Sequence, residues 1–367
     1  MTRVETVVVG GGPAGAATAC GLAAAGREVL LIERADGPHH KVCGEFLSIE
    51  TQAQLRRLEI DPLTLGAATI DHLAVHSARR SVAQALPFRA LSLSRRRLDQ
   101  AIMRRAAQCG AQVKTNACVR SVRNGGAGWT LRCDDGGEVA CRNLVLATGK
   151  WGLRGIEDER DHSLVGLKMH LRPSSAARHA LRGRVELVLL DRTYAGLELV
   201  EGGIANLCLL LPRAVVAQLG PGWPALRDHL SAVSSRLAEH LDGAEPLFEK
   251  PLAVVCPNGG HLHGEDEPVF FRVGDRLAHI PPFTGDGLAI ALSSAALAAE
   301  HIAEGRTPAQ YLAAARALTR ASLRLAGAVS ALAATNSGRA ALMVAATVMP
   351  GFVRHLVRRT RLPLPVY

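Results

Sequence analysis

A run of glycines near the start constrains this chain more than any other feature. Gly10-Gly11-Gly12-Pro13-Ala14-Gly15 separates the apolar stretch Glu5–Val9 from an alanine-rich segment, Ala16–Ala25, which ends at Gly26 and leads into a second apolar run, Glu28–Ile32. Two short apolar runs separated by a glycine turn and a helix-length segment read as β-turn-α-β, the opening unit of a doubly wound parallel sheet. In this GxGxxG spacing Gly10 permits the sharp turn, Gly12 lets backbone approach a pyrophosphate, and Gly15 lets the helix pack close to the strand. The helix N-terminus then presents free N–H groups and the positive end of its dipole to an anion. Glu33, with Arg34 beside it, stands at the end of the second run. A carboxylate there accepts hydrogen bonds from both ribose hydroxyls and disfavours a 2′-phosphate. The fingerprint is shared by NAD and FAD sites, so the choice rests on residues further along.

The remaining pattern predicts a polar loop over 34–45, a helix over Ile49–Leu58 and a mixed stretch to Phe88 with a strand near Leu73–His76. An amphipathic helix follows at Arg95–Gln108, then strands at Ala111–Thr115 and Cys118–Val122. Trp129–Cys133 pairs with Val139–Cys141 across Asp134–Gly137, a hairpin signal, and Leu144–Leu146 is another buried strand. Between about 157 and 261 the pattern changes to strands Val165–Leu171, Val185–Leu190, Tyr194–Val200 and Ile204–Leu211, with one helix over Trp223–Leu241. Phe270–Val273 returns to the first sheet, and the chain is helical after Gly285. The expected fold class is α/β: a Rossmann-like domain with a parallel sheet, interleaved with an antiparallel substrate domain and followed by a helical C-terminus. The boundaries predicted are 1–70, 91–156 and 262–300 for the nucleotide domain, 71–90 and 157–261 for the substrate domain, and 301–367 for the helices.

Eight cysteines are scattered without a CxxC pair, which argues against both a disulfide framework and a zinc site. The first residues leave no room for a secretion signal before the apolar run, so a cytoplasmic location is expected. The formal charge of +10 comes from arginines along the whole length, and no nucleic-acid-binding pattern accompanies it. Arg324, Arg339 and Arg354 interrupt the apolar C-terminal segments, leaving no membrane span. The end, from Met349 through Arg354, His355, Arg358, Arg359 and Arg361, can instead touch an anionic surface peripherally.

The choice of dinucleotide comes from residues 274–288. Gly274-Asp275 at a strand end, then Pro281-Pro282-Phe283-Thr284-Gly285-Asp286-Gly287-Leu288 leading into a helix, resembles the FAD-dependent monooxygenase superfamily that includes p-hydroxybenzoate hydroxylase and the geranylgeranyl reductases. The resemblance implies that Asp275 binds the ribitol chain. It also implies that Pro282, Gly285, Asp286, Gly287 and Leu288 lie along the flavin ring, where helix-opening amides face negative charge. Ser94-Arg95-Arg96-Arg97-Leu98-Asp99 is similar to the family segment whose arginine, here Arg95, contacts the FAD phosphates or ribitol. Ala147-Thr148-Gly149 lies where aromatic hydroxylases carry an Ala-Asp-Gly. The missing aspartate leaves open whether NAD(P)H or another reductant supplies electrons. The loop Lys41-Val42-Cys43-Gly44 resembles the Lys-x-Cys-Gly segment of the geranylgeranyl reductase-like and halogenase-like branches, which approaches the ring. The halogenase Trp-x-Trp-x-Ile-Pro motif is missing.

Candidate catalytic residues are Lys41, Cys43, Lys168 and His170. Strand alternation puts Lys168 and His170 on one face, and Leu167 and Met169 on the other. Lys150, Trp151 and Arg154 are further polar candidates. The resemblance implies an FAD-dependent oxidoreductase acting on a hydrophobic small molecule. The first expectation is hydroxylation of an aromatic or polyketide-like compound through a flavin C4a-hydroperoxide. One alternative is an ene reductase acting on prenyl or lipid-like double bonds; another is a non-catalytic flavin-binding module.

Overall fold

The computed structural model describes every residue except 1, 79, 127, 151, 154–162, 192, 257–260, 263–268, 350 and 365–367. The chain opens with β1 (Thr2–Val9), α1 (Pro13–Ala24), β2 (Val29–Ile32), β3 (Phe46–Leu47) and α2 (Ile49–Arg57). It continues through β4 (Ala68–His76), β5 (Ser81–Ser92), α3 (Arg95–Gln108), β6 (Gln112–Lys114), β7 (Val119–Asn124), β8 (Trp129–Cys133) and β9 (Glu138–Leu146). The middle holds β10 (Leu164–Arg172), α4 (Ser175–Leu181), β11 (Arg184–Leu189), β12 (Tyr194–Leu199), β13 (Ala205–Pro212), α5 (Arg213–Leu219), α6 (Trp223–Val233) and α7 (Ser235–Leu241). Short strands β14 (Glu245–Pro246), β15 (Leu252–Cys256), β16 (His261–Leu262), β17 (Phe271–Arg272) and β18 (Ala278–His279) precede the helices α8 (Gly287–Ala303), α9 (Pro308–Ala333), α10 (Asn336–Val348) and α11 (Phe352–Thr360).

The first sheet has the order β6-β2-β1-β9-β8-β7, with β17 also paired to β9. β1, β2, β6, β9 and β17 pair in parallel, as strands covered on both faces do. Alternation along β1 sends Val8 into the core shared with α1, α3 and α8, and Val7 and Val9 into a second core with Trp129, Leu131 and Phe270. Helix α1 is buried along most of its length because it lies between the sheet, α3 and α8, which suits its run of alanines. The predicted hairpin register is present, Trp129 facing Cys141 and Leu131 facing Val139.

The second sheet runs β14-β10-β13-β12-β11-β4-β5-β3, with β15 also on β10. It is antiparallel apart from β11 and β4, which run parallel. It reaches further into the first segment than predicted: β4 starts at Ala68, β5 runs to Ser92, and Phe46–Leu47 pairs with Leu91 and Ser92. β5 is only half-buried over most of its length and contains Pro87, which blurs the alternation that would have revealed it. The helix expected over Trp223–Leu241 is two helices. Ser234 is extended (φ −153°, ψ 117°) and its hydroxyl caps α7 by accepting from the Leu237 amide. Strand β15 and helices α4 and α5 were not anticipated.

A buried carboxylate fastens α7 to this sheet. Glu186 accepts from Arg236 at 2.6 and 2.9 Å and from His240 Nε2 at 2.9 Å, with His76 Nε2 at 3.2 Å. Burial alone would raise its pKa, but the hydrogen bonds from His240, His76 and Arg236 hold it well below the usual carboxylate range. The C-terminal helices close the molecule. Tyr311 on α9 donates to the Arg272 carbonyl of β17 at 2.6 Å, and α10 and α11 both pack on β5. No single described helix is long and apolar enough to cross a membrane.

Candidate functional site

Between the two sheets lies a cavity of about 540 Å³. Of the residues predicted to hold a cofactor, Gly10, Gly12, Pro13, Ala14, Glu33, Arg34, Lys41, Cys43, Gly44, Arg95, Gly149, Asp275, Pro282, Gly285, Gly287 and Leu288 all line it. Residues separated by more than 270 positions thus meet around one space.

One end is the glycine cradle. Gly10 has φ +108°, and a Cβ there would stand 2.4 Å from the Ala147 carbonyl oxygen, so no other residue fits. Gly15 does not line the cavity; a Cβ on it would collide with the Gly10 carbonyl at 1.9 Å, which is the close helix packing expected of it. Gly11, which had no assigned task, needs its small size because Met103 and the Glu33 side chain cover it. Glu33 accepts from the Gly11 amide and, at 2.8 Å, from the Ala35 amide, fixing its carboxylate at the rim.

Two helices open onto this cavity without side-chain caps. α1 starts after Gly12 and α8 after Asp286, and neither N-cap residue hydrogen-bonds its helix through a side chain. A Cβ on Gly12 or Gly287 would meet nothing within 4 Å. Each helix therefore turns unsatisfied amides and the positive end of its dipole toward open space, the environment an anionic group requires. The cradle suits a pyrophosphate, and the α8 end suits a ring edge that gains negative charge on reduction. The residues present fit FAD at both ends.

A buried polar cluster centres on the Cys43–Phe46 segment. Glu45, fully buried at φ 59°, ion-pairs with Lys168, bonds His170 Nε2 at 2.8 Å and accepts from the Arg95 amide at 2.7 Å. Burial would raise its pKa, but the His170 hydrogen bond and the Lys168 charge together hold it below the ordinary carboxylate value. His40 stacks edge-on to His170 with ring centroids 4.8 Å apart. Burial, followed by the charges of His170 and Lys168, pushes its pKa down to about 4, so it is neutral near pH 7. Beside this cluster Asn206 donates to the Cys43 carbonyl at 3.2 Å and to Glu198 at 2.7 Å. Burial raises Glu198 to about 8, which keeps it protonated at neutral pH.

These contacts revise several assignments. Lys168 and His170 share a strand face as predicted; neither lines the cavity, and both are paired with Glu45. Lys41 and Arg95 line the cavity, but both ion-pair with Asp99, Lys41 at 3.0 Å and Arg95 through two bonds of 2.7 and 3.0 Å. Asp286 does not line it. It is buried and paired with Arg361 at 2.9 Å, from just beyond α11, and burial raises it to about 7. Cys43 lines the cavity and accepts from the Glu45 amide at 3.3 Å. Lys150 lines it too, with its Nζ 3.1 Å from the Cys256 sulfur; Trp151 and Arg154 lie outside the described residues. Unanticipated are Glu45, Glu198, Asn206 and Tyr194, the last lining the cavity with its ring edge-on to Phe283 at 6.0 Å.

Comparison with known proteins agrees with this geometry. Residues 3–156 match the family model described as FAD binding domain. The chain is 27% identical over 329 residues to the menaquinone reductase of Mycolicibacterium smegmatis, covering 83% of this chain and 77% of that protein. It is 28% identical over 320 residues to the menaquinone reductase of Mycobacterium tuberculosis, covering 81% and 76%. Among solved structures it resembles a flavoprotein/dehydrogenase from Cytophaga hutchinsonii (TM-score 0.80, 16% identity, 97% of this chain and 92% of that one). It also resembles the flavin-dependent brominase Bmp2 (TM-score 0.78, 18% identity, 98% and 93%). The architecture is that of FAD-binding flavoproteins, and the chain is an FAD-dependent oxidoreductase with FAD as its cofactor.

Two outcomes follow. A Gly12→Asp substitution puts a carboxylate in the open space before α1, so the protein should fold with an unchanged circular dichroism spectrum yet lose FAD at least 100-fold in a fluorescence titration. For Glu198 the folded pKa of about 8 exceeds the ordinary 4.5, so the folded state holds the proton longer than the unfolded one. Stability should therefore fall as pH rises from about 4.5 toward 8, by at most about 1.4 kcal/mol per pH unit. Glu198→Gln should flatten that segment in urea unfolding at saturating FAD, gaining most over the parent near pH 8 and nothing near pH 4.

Proposed function

We propose that this enzyme is a reductase that saturates a carbon–carbon double bond in an apolar, prenylated or quinone-like substrate, placing it nearer the geranylgeranyl reductase-like branch. The observation that carries this reading is the apolar part of the cavity lining. Val42, Phe46, Leu210, Leu252, Val254 and Ile280 form it, and a Cβ on Gly166 would crowd Val42, Val254 and Cys256 at 3.1–3.4 Å. Such a wall binds an apolar group by excluding water and offers little to a charged one. The names of the curated relatives support the same substrate class.

When bound, FAD supplies the electron pair; the protein must orient the double bond, exclude water and deliver a proton. Tyr194 suits that last task. Its position in the cavity beside Phe283 puts its hydroxyl-bearing ring next to the loop expected along the flavin ring. Glu45, Lys168 and His170 hold the Cys43–Phe46 segment of the wall in place. Hydroxylation is the second reading, favoured by the fold shared with flavin-dependent halogenases and monooxygenases.

Oxygen separates the two. Protein loaded with FAD and reduced by dithionite in an anaerobic cuvette should be reoxidised by a prenyl compound that has no reducible ring, and the two hydrogens gained should appear on the carbons of the former double bond. An enzyme that turns over only in air, with a product gaining one oxygen, would establish hydroxylation instead. Tyr194→Phe should lower anaerobic turnover by about 100-fold, within the usual range for loss of a proton donor, without weakening FAD binding.

A further inference from the structure

The net charge of this protein sits almost entirely at one end. Residues 305–367 contain nine arginines and no aspartate or glutamate, while the first 304 residues carry 34 basic against 33 acidic residues. That segment forms α9, α10 and α11. On α10 the solvent side consists of Ser337, Ala340, Ala341, Val344, Thr347 and Val348, with no charged residue among them. Val348 is 68% exposed and Met349, which follows it, 55%. Exposure on this scale is unusual for large apolar side chains placed next to one another.

Helix α11 is sharply two-faced. Phe352, Val353, Leu356 and Val357 recur at helical spacing and are half-buried, while Arg354, His355, Arg358 and Arg359 occupy the opposite arc and are exposed. The helix packs on β5 and α9. α10 and α11 meet at 115°, forming a bent corner with bare apolar residues on one arm and an arginine row on the other. Apolar side chains beside a basic face, without a compensating acidic residue in the segment, match the layered chemistry of an anionic bilayer: acyl chains beneath negative headgroups.

We propose that the α10–α11 corner is a docking surface for an anionic lipid bilayer, on which the protein lies peripherally. The surface also has a direct line to the cofactor site. Arg361, immediately after α11, is buried against Asp286 and bonds the Thr284 carbonyl. Both partners belong to the loop just before α8. The inference goes beyond the reductase reading and does not depend on it: a hydroxylase with this corner would dock in the same way.

Co-sedimentation of the FAD-loaded full chain with vesicles tests it. The protein should partition onto phosphatidylcholine vesicles containing a third phosphatidylglycerol, and hardly onto phosphatidylcholine alone. Each arginine at an anionic surface is worth about fivefold in partitioning, so the triple variant R354Q/R358Q/R359Q should bind about 100-fold more weakly while keeping its FAD. Raising the salt should weaken the parent in the same direction. A second variant, V348S/M349S, should weaken binding at both salt concentrations. Binding the parent equally to neutral vesicles, failing to bind anionic ones, or matching affinities in parent and triple variant would each overturn the proposal. So would concentration-dependent self-association in sedimentation velocity that V348S/M349S abolishes without any vesicle binding, since a second copy would then be the occupant.

Discussion

One ionised carboxylate in the interior holds the two sheets in register. Glu45 sits in the loop between β2 and β3, yet its oxygens are engaged by Lys168 and His170 of β10 and by the amide that starts α3. Its own carbonyl accepts from Leu93 at 3.1 Å, fastening the loop to the end of β5 as well. A glutamate in the left-handed region costs on the order of 1–3 kcal/mol and persists only where the surroundings over-determine it. Four contacts from three elements do so here. Removing one member would leave an uncompensated buried charge, which is far more costly than the pair is stabilising.

With that loop fixed, the rest of the site follows. Cys43 and Phe46 are set along the cavity wall, and Phe46 packs against Gly285, where φ +72° and a contact of 2.7 Å to a hypothetical Cβ exclude any side chain. The ring-flanking loop is thus held from one side by the Glu45 segment and from the other by Arg361 on Asp286. Between these supports, α1 and α8 turn their uncapped ends into the same space, where α1 would hold the phosphates of FAD and α8 would face its ring. The pocket combines positive helix ends with apolar lining from Val42, Leu210, Leu252 and Val254.

Much of this was readable in the sequence because it depends on local spacing. The glycine run, Glu33 and the 274–288 segment each act through backbone geometry a few residues long, and they meet at the cavity as anticipated. Strand periodicity likewise placed Lys168 and His170 together. Their purpose was not readable, because their partner lies 123 and 125 residues away in a loop with no periodic signal. The partner of Asp286 was hidden for the same reason. The aspartate's motif position suggested the cofactor, whereas its carboxylate is claimed by an arginine 75 residues later that only the packing of α11 brings near. Tyr194 was read merely as the start of a strand, since facing a cavity is a property of the assembled sheets.

If Glu45, through Lys168, shapes the FAD site, the two residues must be coupled in FAD binding. A double-mutant cycle of Glu45→Gln and Lys168→Met, read as the FAD dissociation constant of the refolded apoprotein, tests it most directly. Either single substitution should weaken FAD binding at least tenfold, and the double variant should bind more tightly than the worse single one, because no lone buried charge remains. Unchanged FAD affinity in Glu45→Gln, or losses that simply add in the double variant, would contradict it.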